Sequence, residues 1–400
     1  MPKPFFSVVL PTKNRSFLLG AAISSLLNQK FPDWELIIAD NDDTDATAKA
    51  VDAFKDSRIR RVRSGNLSMP DNWEFGCSQA TGEHLTIIED KQVLKSYALL
   101  ELHKLIERER PESIKWIVDE FDEADGVPRV HRAKGSREIR AIPSEDLLRD
   151  FTQNLKRDYK GCIPLGYRSC ITRALAERIR SGPVGRLCPP NSPDFTLGYL
   201  QLAYADVIWH VDEALTLFTS TVHSNGRSLA TNGATFRRYS QELGGDARFF
   251  DEVPVKAVSI QGAIYNDYAR LSRIVSGRLA KFPINPTNYF IQVHQSIQEL
   301  KRAGRDITDA LKAWETALGA QRLEVQSRVR ELTNVRDRER GLVHELSRSI
   351  GLKRLERSAK RFYRGTIKDD PQWKFQTPAD YLAWDESQRK LSAPPSSSDR

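Results

Sequence analysis

Residues 6–15, FSVVLPTKNR, begin with an apolar run typical of a buried strand and end in residues that are polar or favour a turn. Three later runs have a similar apolar, strand-like character, namely WELIIAD at 34–40, IRRVR at 59–63 and HLTIIE at 84–89. The segments between the runs, 17–29, 44–55 and 70–81, have helical spacing. This alternation predicts an α/β fold, with a mostly parallel sheet and helices on both faces.

The same alternation continues more weakly to about residue 218. Helical spacing at 95–108 leads to another strand at 113–120, and the turn-rich stretch 124–138 indicates an insertion or a loop over the sheet edge. Helices are predicted at 143–155, 170–181 and 193–206, with extended chain at 207–218. The pattern then ends, which predicts a first domain of residues 1–230 and a helical connector at 231–287.

A different period governs the carboxyl-terminal third of the chain. From residue 293 to residue 346 one set of positions is spaced by four and three in strict alternation. All are apolar except Gly304, Gln321, Arg328 and Glu339. The spacing predicts a coiled-coil helix over 288–348 that joins copies of the chain into a homo-oligomer, and the alternative is a helix that lies along the body. A basic amphipathic segment (349–386) and a disordered tail (387–400) are expected after it.

The net charge of +8 is concentrated in one segment, because residues 301–364 hold 17 Lys and Arg against 9 Asp and Glu. The rest of the chain is near neutral, which argues against a nucleic-acid groove in the main domain. Residues 350–365 can place apolar side chains on one helical face with basic side chains beside it, as in helices that bind an anionic membrane surface. A solvated basic helix packed on the body is the alternative.

The compartment is inferred from what the sequence lacks. No apolar run has the length of a membrane-spanning helix, and the first residues have the pattern of a strand, not that of a signal peptide. We therefore expect a cytoplasmic protein, peripheral at the inner face of the membrane. The cysteines lack the spacing of a metal site or a disulfide framework and are expected to be buried or incidental thiols. They are Cys77, Cys162, Cys170 and Cys188.

The residues directly after three of the predicted strands are polar, and two of the three groups are acidic. These groups are 11–15, 40–43 and 89–90. Ligands of an open parallel sheet bind at the carboxyl ends of its strands. Carboxylates gathered there repel one another unless a cation shares the site, which predicts a divalent metal held by oxygen ligands. Asp42 and Asp43 have the alternative of capping the next helix.

At this point the sequence shows a resemblance. The block FSVVLPTKNRSFLLGAAISSLLNQKFPDWELIIADNDDTDAT, followed by DNWEFGCSQATGEHLTIIED, resembles the inverting family 2 glycosyltransferases with the GT-A fold. In that family the loop after the first strand and the acid after the second strand hold the donor nucleotide. The residues at those places are Pro11, Thr12, Asn14, Arg15, Asp40 and Asn41. The region of Asn72 and Gly82 is similar to the segment that closes over the donor.

Glu89-Asp90-Lys91-Gln92 occupies the place of the family's acidic metal motif. The resemblance implies that Asp90 binds Mg²⁺ or Mn²⁺ and that Glu89 contacts the donor, whereas Lys91 and Gln92 depart from the pattern. A lysine ammonium can itself neutralise diphosphate charge, so Lys91 is expected on the donor and metal dependence stays open. His223 is expected to contact the metal and the diphosphate, and Arg227 is expected to contact the diphosphate. A structural role is the alternative for both residues.

An inverting transfer also needs a base that takes the proton of the acceptor hydroxyl. The family places an Asp or Glu at the head of a later helix, and Asp194, 104 positions after Asp90, fits this description. Asp194 is therefore the predicted base, with stabilisation of the helix N-terminus as the alternative. Asp119, Glu120 and Asp122 also follow a strand, so they are rival bases or residues of the acceptor side.

The resulting expectation is an inverting glycosyltransferase that moves a sugar from a nucleotide-diphosphate sugar to a glycan or lipid-linked acceptor in cell-surface polysaccharide synthesis. Its architecture is a GT-A type, mostly parallel sheet with flanking helices and a carboxyl-terminal helical or coiled-coil extension. The alternative is a catalytically inactive relative that binds nucleotide or carbohydrate, or a coiled-coil assembly protein.

Overall fold

A computed structural model describes residues 3–123, 128–153, 159–219, 233–334, 367–368 and 375–391. The strands are β1 (Phe6–Thr12), β2 (Trp34–Asp40), β3 (Ile59–Arg63), β4 (His84–Ile87), β5 (Gln92–Leu94), β6 (Ser113–Asp122), β7 (Arg129–Ala133), β8 (Ile139–Pro143), β9 (Ser169–Thr172), β10 (Val207–Phe218) and β11 (Ile367–Lys368). The helices are α1 (Ser16–Leu27), α2 (Ala46–Asp52), α3 (Met69–Ser78), α4 (Ala98–Glu109), α5 (Ser144–Gln153), α6 (Tyr159–Cys162), α7 (Arg173–Arg180), α8 (Pro193–Tyr204), α9 (Gly233–Glu242), α10 (Ile260–Val275), α11 (Pro286–Arg302), α12 (Thr308–Gly319), α13 (323–334) and α14 (Pro378–Leu391).

The strands form one mixed sheet in the order β11-β7-β6-β9-β4-β1-β2-β3, with β10 on β6 and both β5 and β8 on β10. Strands β1 to β4 are parallel where they pair, because α1, α2 and α3 return the chain over the sheet between them. The β6–β10 pair is also parallel. All other pairs are antiparallel, so the expectation of a mostly parallel sheet holds only for these two groups.

Two segments differ from their predicted secondary structure. The turn-rich stretch 124–138 contains strand β7, which pairs with β6 and β11, and leads directly into β8. The segment predicted as a helix from residue 170 begins instead as strand β9. The helix starts only at Arg173, because the Thr172 side chain accepts a hydrogen bond from the Leu175 N–H and caps it there.

The sheet is covered on both faces. Val8 and Leu10 of β1 pack with residues of α1 and α4, whereas Val9 packs on the opposite face with residues of α3 and α8. Successive strand residues point to opposite faces, so one apolar run contributes to both cores. The carboxyl ends of β1, β2 and β4 meet at one place, which we call the carboxyl edge (residues 11–15, 40–43 and 89–92).

The predicted coiled-coil helix over 288–348 is wrong for residues 288–334. The chain forms three separate helices, α11, α12 and α13, with a turn at Gly304, whose φ of +77° belongs to the left-handed region. Val293 and Ile297 are fully buried in the core that also holds Val9. The Trp314 Nε1–H donates to the Phe290 carbonyl at 2.9 Å. Over residues 288–334 the apolar stripe therefore packs on the chain's own body, and this described part offers no seam to a second copy.

The predictions for the carboxyl-terminal segments are wrong in part. Helix α14 crosses the predicted boundary between the basic segment and the disordered tail, so the tail prediction is wrong for residues 387–391. The basic stretch 350–365 and the boundary at residue 230 lie outside the described residues, as do positions 335–348 of the predicted seam. Across the described ranges, none of the helices combines the length and the apolar character needed to cross a bilayer.

Candidate active site

At the carboxyl edge, Asn14 joins the loop after β1 to the loop after β2 by hydrogen bonds. Its backbone N–H donates to Asp42, its side-chain Nδ2 donates to Asp43 Oδ2 at 2.7 Å, and its Oδ1 accepts from the Asp43 N–H at 3.0 Å. Asp42 also accepts from both the N–H and the hydroxyl of Thr47 in α2. The helix-capping interpretation therefore holds for Asp42, whereas Asp43 binds the neighbouring loop.

Asp40 is fully buried at the end of β2, beside Pro11 and Thr12 of the paired strand β1. Its Oδ2 lies 2.8 Å from an Arg61 guanidinium nitrogen, and its Oδ1 accepts from the Asp42 N–H at 3.0 Å. Arg61 was not among the predicted site residues. It lies in β3, whose repeated arginines in IRRVR were the signal that an anion or a carboxylate is close by.

Asn41 holds the chain that follows β3. Its Nδ2 donates to the Leu67 carbonyl and its Oδ1 accepts from the Leu67 N–H, both at 2.7 Å. The Ser64 hydroxyl donates to the same Oδ1 at 3.1 Å. Both ends of the amide are thus used by the protein, and these contacts leave one Nδ2 hydrogen unaccounted for, with which Asn41 could contact a nucleotide base.

Asp90 is buried at the centre of the carboxyl edge. Its Oδ2 accepts from the Thr12 hydroxyl at 3.1 Å and pairs with Arg15 Nε at 2.8 Å. Its Oδ1 has no hydrogen-bond partner among the described residues. Burial raises the pKa of the Asp90 carboxyl, and the charges of Arg15 and Lys91 oppose that rise. A buried, unbonded carboxylate oxygen is costly unless a ligand completes its shell.

Asn72 of α3 presents a second buried oxygen of this kind. Its Nδ2 donates to the carbonyl oxygens of Ala39 at 3.1 Å and Thr12 at 3.4 Å, while its Oδ1 has no partner among the described residues. Thr12 is bonded to Asn72 Nδ2 and to Asp90 Oδ2, so the two side chains that carry an unbonded oxygen contact the same residue. Their placement fits a ligand that brings a cation or hydrogen-bond donors to the carboxyl edge.

Lys91 is paired within its own motif. Its ammonium lies 2.8 Å from Glu89 Oε1, and the Lys91 and Glu89 side chains are 7% and 19% exposed. The Lys91 carbonyl accepts from the N–H and the hydroxyl of Thr219, which follows β10. The motif is therefore joined to the chain that leads toward His223 and Arg227, and both of these residues lie outside the described ranges.

Gly82 does not belong to the site. Its N–H donates to the Ser7 hydroxyl, and a Cβ at this position would lie 2.8 Å from the Ser7 backbone nitrogen. Gly82 precedes β4 and packs at the amino ends of the strands, opposite the carboxyl edge. The glycine is needed for close packing of two backbones and not for closure over a ligand.

Asp194 lies half-buried in the first turn of α8, after the Ser192 N-cap. A Cβ at Gly166 would lie 3.5 Å from the Asp194 Cα, so the two backbones are close. Tyr167, the residue after Gly166, accepts a hydrogen bond at its backbone carbonyl from Gln92 Nε2 at 3.1 Å. This short chain of contacts connects the start of α8 with the motif at 89–92.

A buried aspartate that the sequence analysis missed holds the turn before Asp194. Asp267 of α10 accepts from Asn191 Nδ2 at 2.9 Å and from the Ser192 N–H at 3.0 Å. The Tyr239 hydroxyl donates to the Asn191 carbonyl. Burial raises the pKa of Tyr239, and the charges of Asp267 and Asp194 raise it further. No local sequence signal marks Asp267, because its partners are 75 and 76 positions away.

Two of the three rival bases, Asp119 and Asp122, have other contacts. Asp119 accepts from the Ala133 N–H at 2.8 Å, lies 2.7 Å from the Lys95 ammonium, and accepts from the Tyr381 hydroxyl. Both of its oxygens are therefore occupied. Asp122 lies 4.0 Å from His131 on β7. Among the described residues no group of three or more His, Cys, Asp or Glu side chains could hold a metal ion.

The sequence profile of glycosyl transferase family 2 matches residues 7–179. The chain is 39% identical over 103 residues to the GalNAc(5)-diNAcBac-PP-undecaprenol beta-1,3-glucosyltransferase of Campylobacter jejuni, which covers 25% of this chain and 33% of that protein. It is 41% identical over 54 residues to the UDP-Glc:alpha-D-GlcNAc-diphosphoundecaprenol beta-1,3-glucosyltransferase WfgD of Escherichia coli, covering 14% of this chain and 21% of that protein. The matched part thus spans a third or less of these curated relatives.

Among solved structures, S. aureus TarS 1-349 in complex with UDP-GlcNAc aligns with 80% of this chain and 93% of its own. The sequence identity is 15% and the TM-score is 0.47.

Proposed function

We propose, from the premise that residues 7–179 are a glycosyl transferase family 2 domain with the GT-A fold, that this chain moves a sugar from a nucleotide-diphosphate sugar to an acceptor hydroxyl with inversion. The observation that carries the proposal is the pair of buried oxygens without partners among the described residues, Asp90 Oδ1 and Asn72 Oδ1, on two side chains that both contact Thr12. They lie where an open α/β sheet binds its ligands.

The residues present fit a divalent cation that has few protein ligands. Mg²⁺ is commonly bound by one or two carboxylates together with substrate phosphates and water, and Asp90 Oδ1 is one such carboxylate oxygen. When bound, Mg²⁺ or Mn²⁺ would neutralise the charge that develops on the leaving diphosphate. The role of His223 as a further ligand stays a prediction, because that residue is outside the described ranges.

The positive side chains at the carboxyl edge support a diphosphate. Arg15 lies 2.8 Å from Asp90, and Lys91 is held by Glu89 at the same distance. We infer that these two cations face the donor diphosphate, while Asp40 and the 11–15 loop hold the nucleoside. In this scheme Glu89 orients the lysine and keeps its ammonium near Asp90.

Asp194 is proposed as the base. Its carboxylate would accept the proton of the acceptor hydroxyl as the oxygen attacks the anomeric carbon, on the side opposite the leaving diphosphate. Asp194 lies in the first turn of α8, the end of the helix at which acidic side chains are commonly found. Asp267 and Tyr239 act on the preceding turn, at Asn191 and Ser192, and so orient the first turn of the helix without touching the reacting atoms.

The acceptor class is inferred from the two named relatives, whose names specify sugars linked through diphosphate to undecaprenol. We propose that this chain also uses a glycan or lipid-linked acceptor, in cell-surface polysaccharide synthesis at the inner face of the membrane. The contribution of the basic stretch 350–365 to membrane binding stays a prediction. Self-association through residues 288–334 is not proposed, because their apolar stripe is buried in the body.

A thermal-shift screen of the full chain tests the proposal. UDP, GDP, ADP and dTDP are each added with Mg²⁺, with Mn²⁺ and with a chelator, and the corresponding monophosphates serve as controls. A ligand at 100 times its dissociation constant should raise the unfolding free energy by about 2.7 kcal/mol. We expect one nucleoside diphosphate to stabilise the chain more than its monophosphate.

Transfer is then measured with the sugar form of the selected nucleotide and a lipid-linked acceptor. Binding of the nucleotide without transfer or hydrolysis of the donor would favour the inactive relative. Absence of any nucleotide effect would remove the basis for a donor site at the carboxyl edge.

A further inference from the structure

Helix α14 (Pro378–Leu391) is the last described element of the chain, yet it packs directly behind the 89–92 motif. Tyr381 is fully buried in a small apolar cluster with Val93 of β5 and Leu217 of β10. Phe375 and Trp384 pack against the same cluster. The helix therefore covers the strand that leaves the motif and the strand whose end, at Thr219, is bonded to Lys91.

Helix α14 is held on the body by a buried group of charged and tyrosine side chains. We call this group the Lys95 cluster (Lys95, Tyr97, Asp119, Tyr381 and Asp385). The Lys95 ammonium lies 2.7 Å from Asp119 Oδ2 and 3.0 Å from Asp385 Oδ1. The three side chains are 4%, 3% and 11% exposed, respectively. One ammonium between two carboxylates, all withdrawn from water, is a strongly orienting arrangement, because loss of one partner leaves an uncompensated buried charge.

Two tyrosine hydroxyls complete the Lys95 cluster. The Tyr97 hydroxyl donates to Asp385 Oδ2 at 2.9 Å, and the Tyr381 hydroxyl donates to Asp119. The body therefore contributes Lys95, Tyr97 and Asp119, while α14 contributes Tyr381 and Asp385. Each part supplies groups that the other needs, so the cluster is complete only when the helix is docked.

Contacts at the rim of the helix extend the docking. Glu386 lies 2.9 Å from the Lys30 ammonium and accepts from the Ser96 hydroxyl at 3.0 Å. Arg389 pairs with Glu213 and lies 3.1 Å from Glu101. These pairs join α14 to β10, to the loop and helix that follow β5, and through Lys30 to the loop between α1 and β2.

Strand β5 has only three residues, and it connects Lys91 directly to the Lys95 cluster. The Lys95 N–H donates to the Leu215 carbonyl, and the Leu94 N–H donates to the Ser25 hydroxyl. A strand this short has few ladder bonds of its own and depends on what packs over it. Loss of the docked helix would therefore loosen β5 and the motif that precedes it.

We propose that helix α14 is a positioning element for the 89–92 motif, and that Asp385 and Tyr381 are positioning residues that act through Lys95 and β5. The catalytic consequence rests on the proposed function, because it assumes that the motif contacts the donor diphosphate. The mechanical part, that α14 holds β5 and residues 89–92 in place, does not.

Hydrogen exchange on the full-length chain tests the mechanical part. Asp385→Asn keeps the size of the side chain but removes the charge that faces Lys95. We expect the amides of residues 89–95 to exchange about tenfold faster or more, with the β2 amides unchanged. Gln388→Ala, at an exposed position of the same helix, is the matched control and should change neither region.

If Asp385→Asn unfolds the chain, Tyr381→Phe is used in its place. This change removes only the hydroxyl that donates to Asp119, and we expect the same faster exchange in residues 89–95. Faster exchange confined to residues 375–391 would overturn the proposal and reduce α14 to a cover. Unchanged exchange in 89–95 for both variants would overturn it as well.

Donor kinetics test the catalytic consequence. Asp385→Asn should raise the donor KM several-fold and leave the acceptor KM unchanged, and Asp385→Glu should restore part of the donor affinity. A general loss of folded protein would lower the apparent kcat without this selective change. If the wild-type chain transfers no sugar, the proposed function fails, whereas the exchange experiment still decides whether α14 positions the motif.

Discussion

Asp90 and Asp119 are both buried aspartates near the carboxyl ends of strands, yet their surroundings are opposite. Asp90 uses one oxygen for Thr12 and Arg15, and its other oxygen has no partner among the described residues. Asp119 uses both oxygens, for the Ala133 N–H on one side and for Lys95 and Tyr381 on the other. The first carboxylate is incomplete without a ligand, whereas the second is completed by the fold.

The difference shows that a strand-end position does not by itself identify a functional acid. Leaving a buried polar atom unbonded costs on the order of 1–3 kcal/mol, and more for a charged group. A protein keeps such an atom where a ligand later supplies the missing bond, as we propose for Asp90. At Asp119 the same residue type contributes to stability instead.

The largest expected effect comes from a third aspartate, Asp194, which is half-buried and near the same edge. Asp194→Asn should lower kcat by roughly 10²–10⁴-fold and leave nucleotide affinity nearly unchanged, because a base acts on the acceptor. Steady-state kinetics together with nucleotide titration measure both quantities.

Asp146→Asn is the matched control for this change, because Asp146 also lies in the first turn of a helix, α5. It should affect stability as Asp194→Asn does and leave turnover unchanged. Equal turnover in all three proteins would show that Asp194 only stabilises the helix N-terminus, and Glu120 would then be the next candidate base.

The next largest effect is expected at Asp119. Asp119→Asn should lower the free energy of unfolding by about 3–5 kcal/mol, because Lys95 would keep only one carboxylate partner. The single amide oxygen also cannot replace both carboxylate oxygens of Asp119, which accept from the Ala133 N–H and the Tyr381 hydroxyl. Urea unfolding followed by tryptophan fluorescence measures this change. A decrease in the free energy of unfolding below about 1 kcal/mol would contradict the contrast between Asp90 and Asp119. Asp119 would then contribute no more to the fold than an exposed acid does.

Asp90→Asn should give the opposite pattern. The amide still accepts from Thr12, and the cost of burying a charge disappears, so the free energy of unfolding should change by less than about 1 kcal/mol. The affinity for the nucleoside diphosphate in Mg²⁺ should fall about 10- to 100-fold. Glu83→Gln, at an exposed position before β4, is the control. If Asp90→Asn destabilised the chain as much as Asp119→Asn, the two aspartates would not differ in kind.

Part of this contrast was readable from the sequence. The apolar runs that end in Thr12, Asp40 and Asp90 predicted the first strands and the edge at which they meet, because strand, turn and helix signals are local. The capping role of Asp42 was one of two stated alternatives for the same reason.

The rest depends on contacts between distant residues. Four-and-three spacing is shared by a coiled coil and by helices that pack on their own body, so Val293 and Ile297 did not distinguish them; Gly304 was the local sign of a break. Lys95 and Asp385 are 290 positions apart, and no pattern in either segment predicts that they meet. Asp267 was missed for the same reason.

The smallest effect is expected at His210 of β10, which tests whether every unbonded buried atom marks a site. Its Nδ1 has no partner among the described residues, as with Asp90 Oδ1, yet its strand pairs there with the edge strand β8. Burial, with the nearby charge of Lys115, lowers the His210 pKa to about 4. In the unfolded chain an ordinary histidine has a pKa of about 6.5.

Between these two pKa values the unfolded chain binds more protons, so the unfolding free energy falls as the pH falls from about 6.5 toward 4. Above pH 6.5 the stability that depends on a neutral His210 is fully present. His210→Phe should remove it and flatten the acid limb of the stability curve by on the order of 2 kcal/mol, with turnover at neutral pH unchanged. His131→Phe, on β7, is the control for replacing a histidine of the same sheet by phenylalanine. Loss of turnover in His210→Phe would mean that an unbonded buried atom away from the carboxyl edge also serves the reaction, and the criterion that separates Asp90 from Asp119 would need to include it.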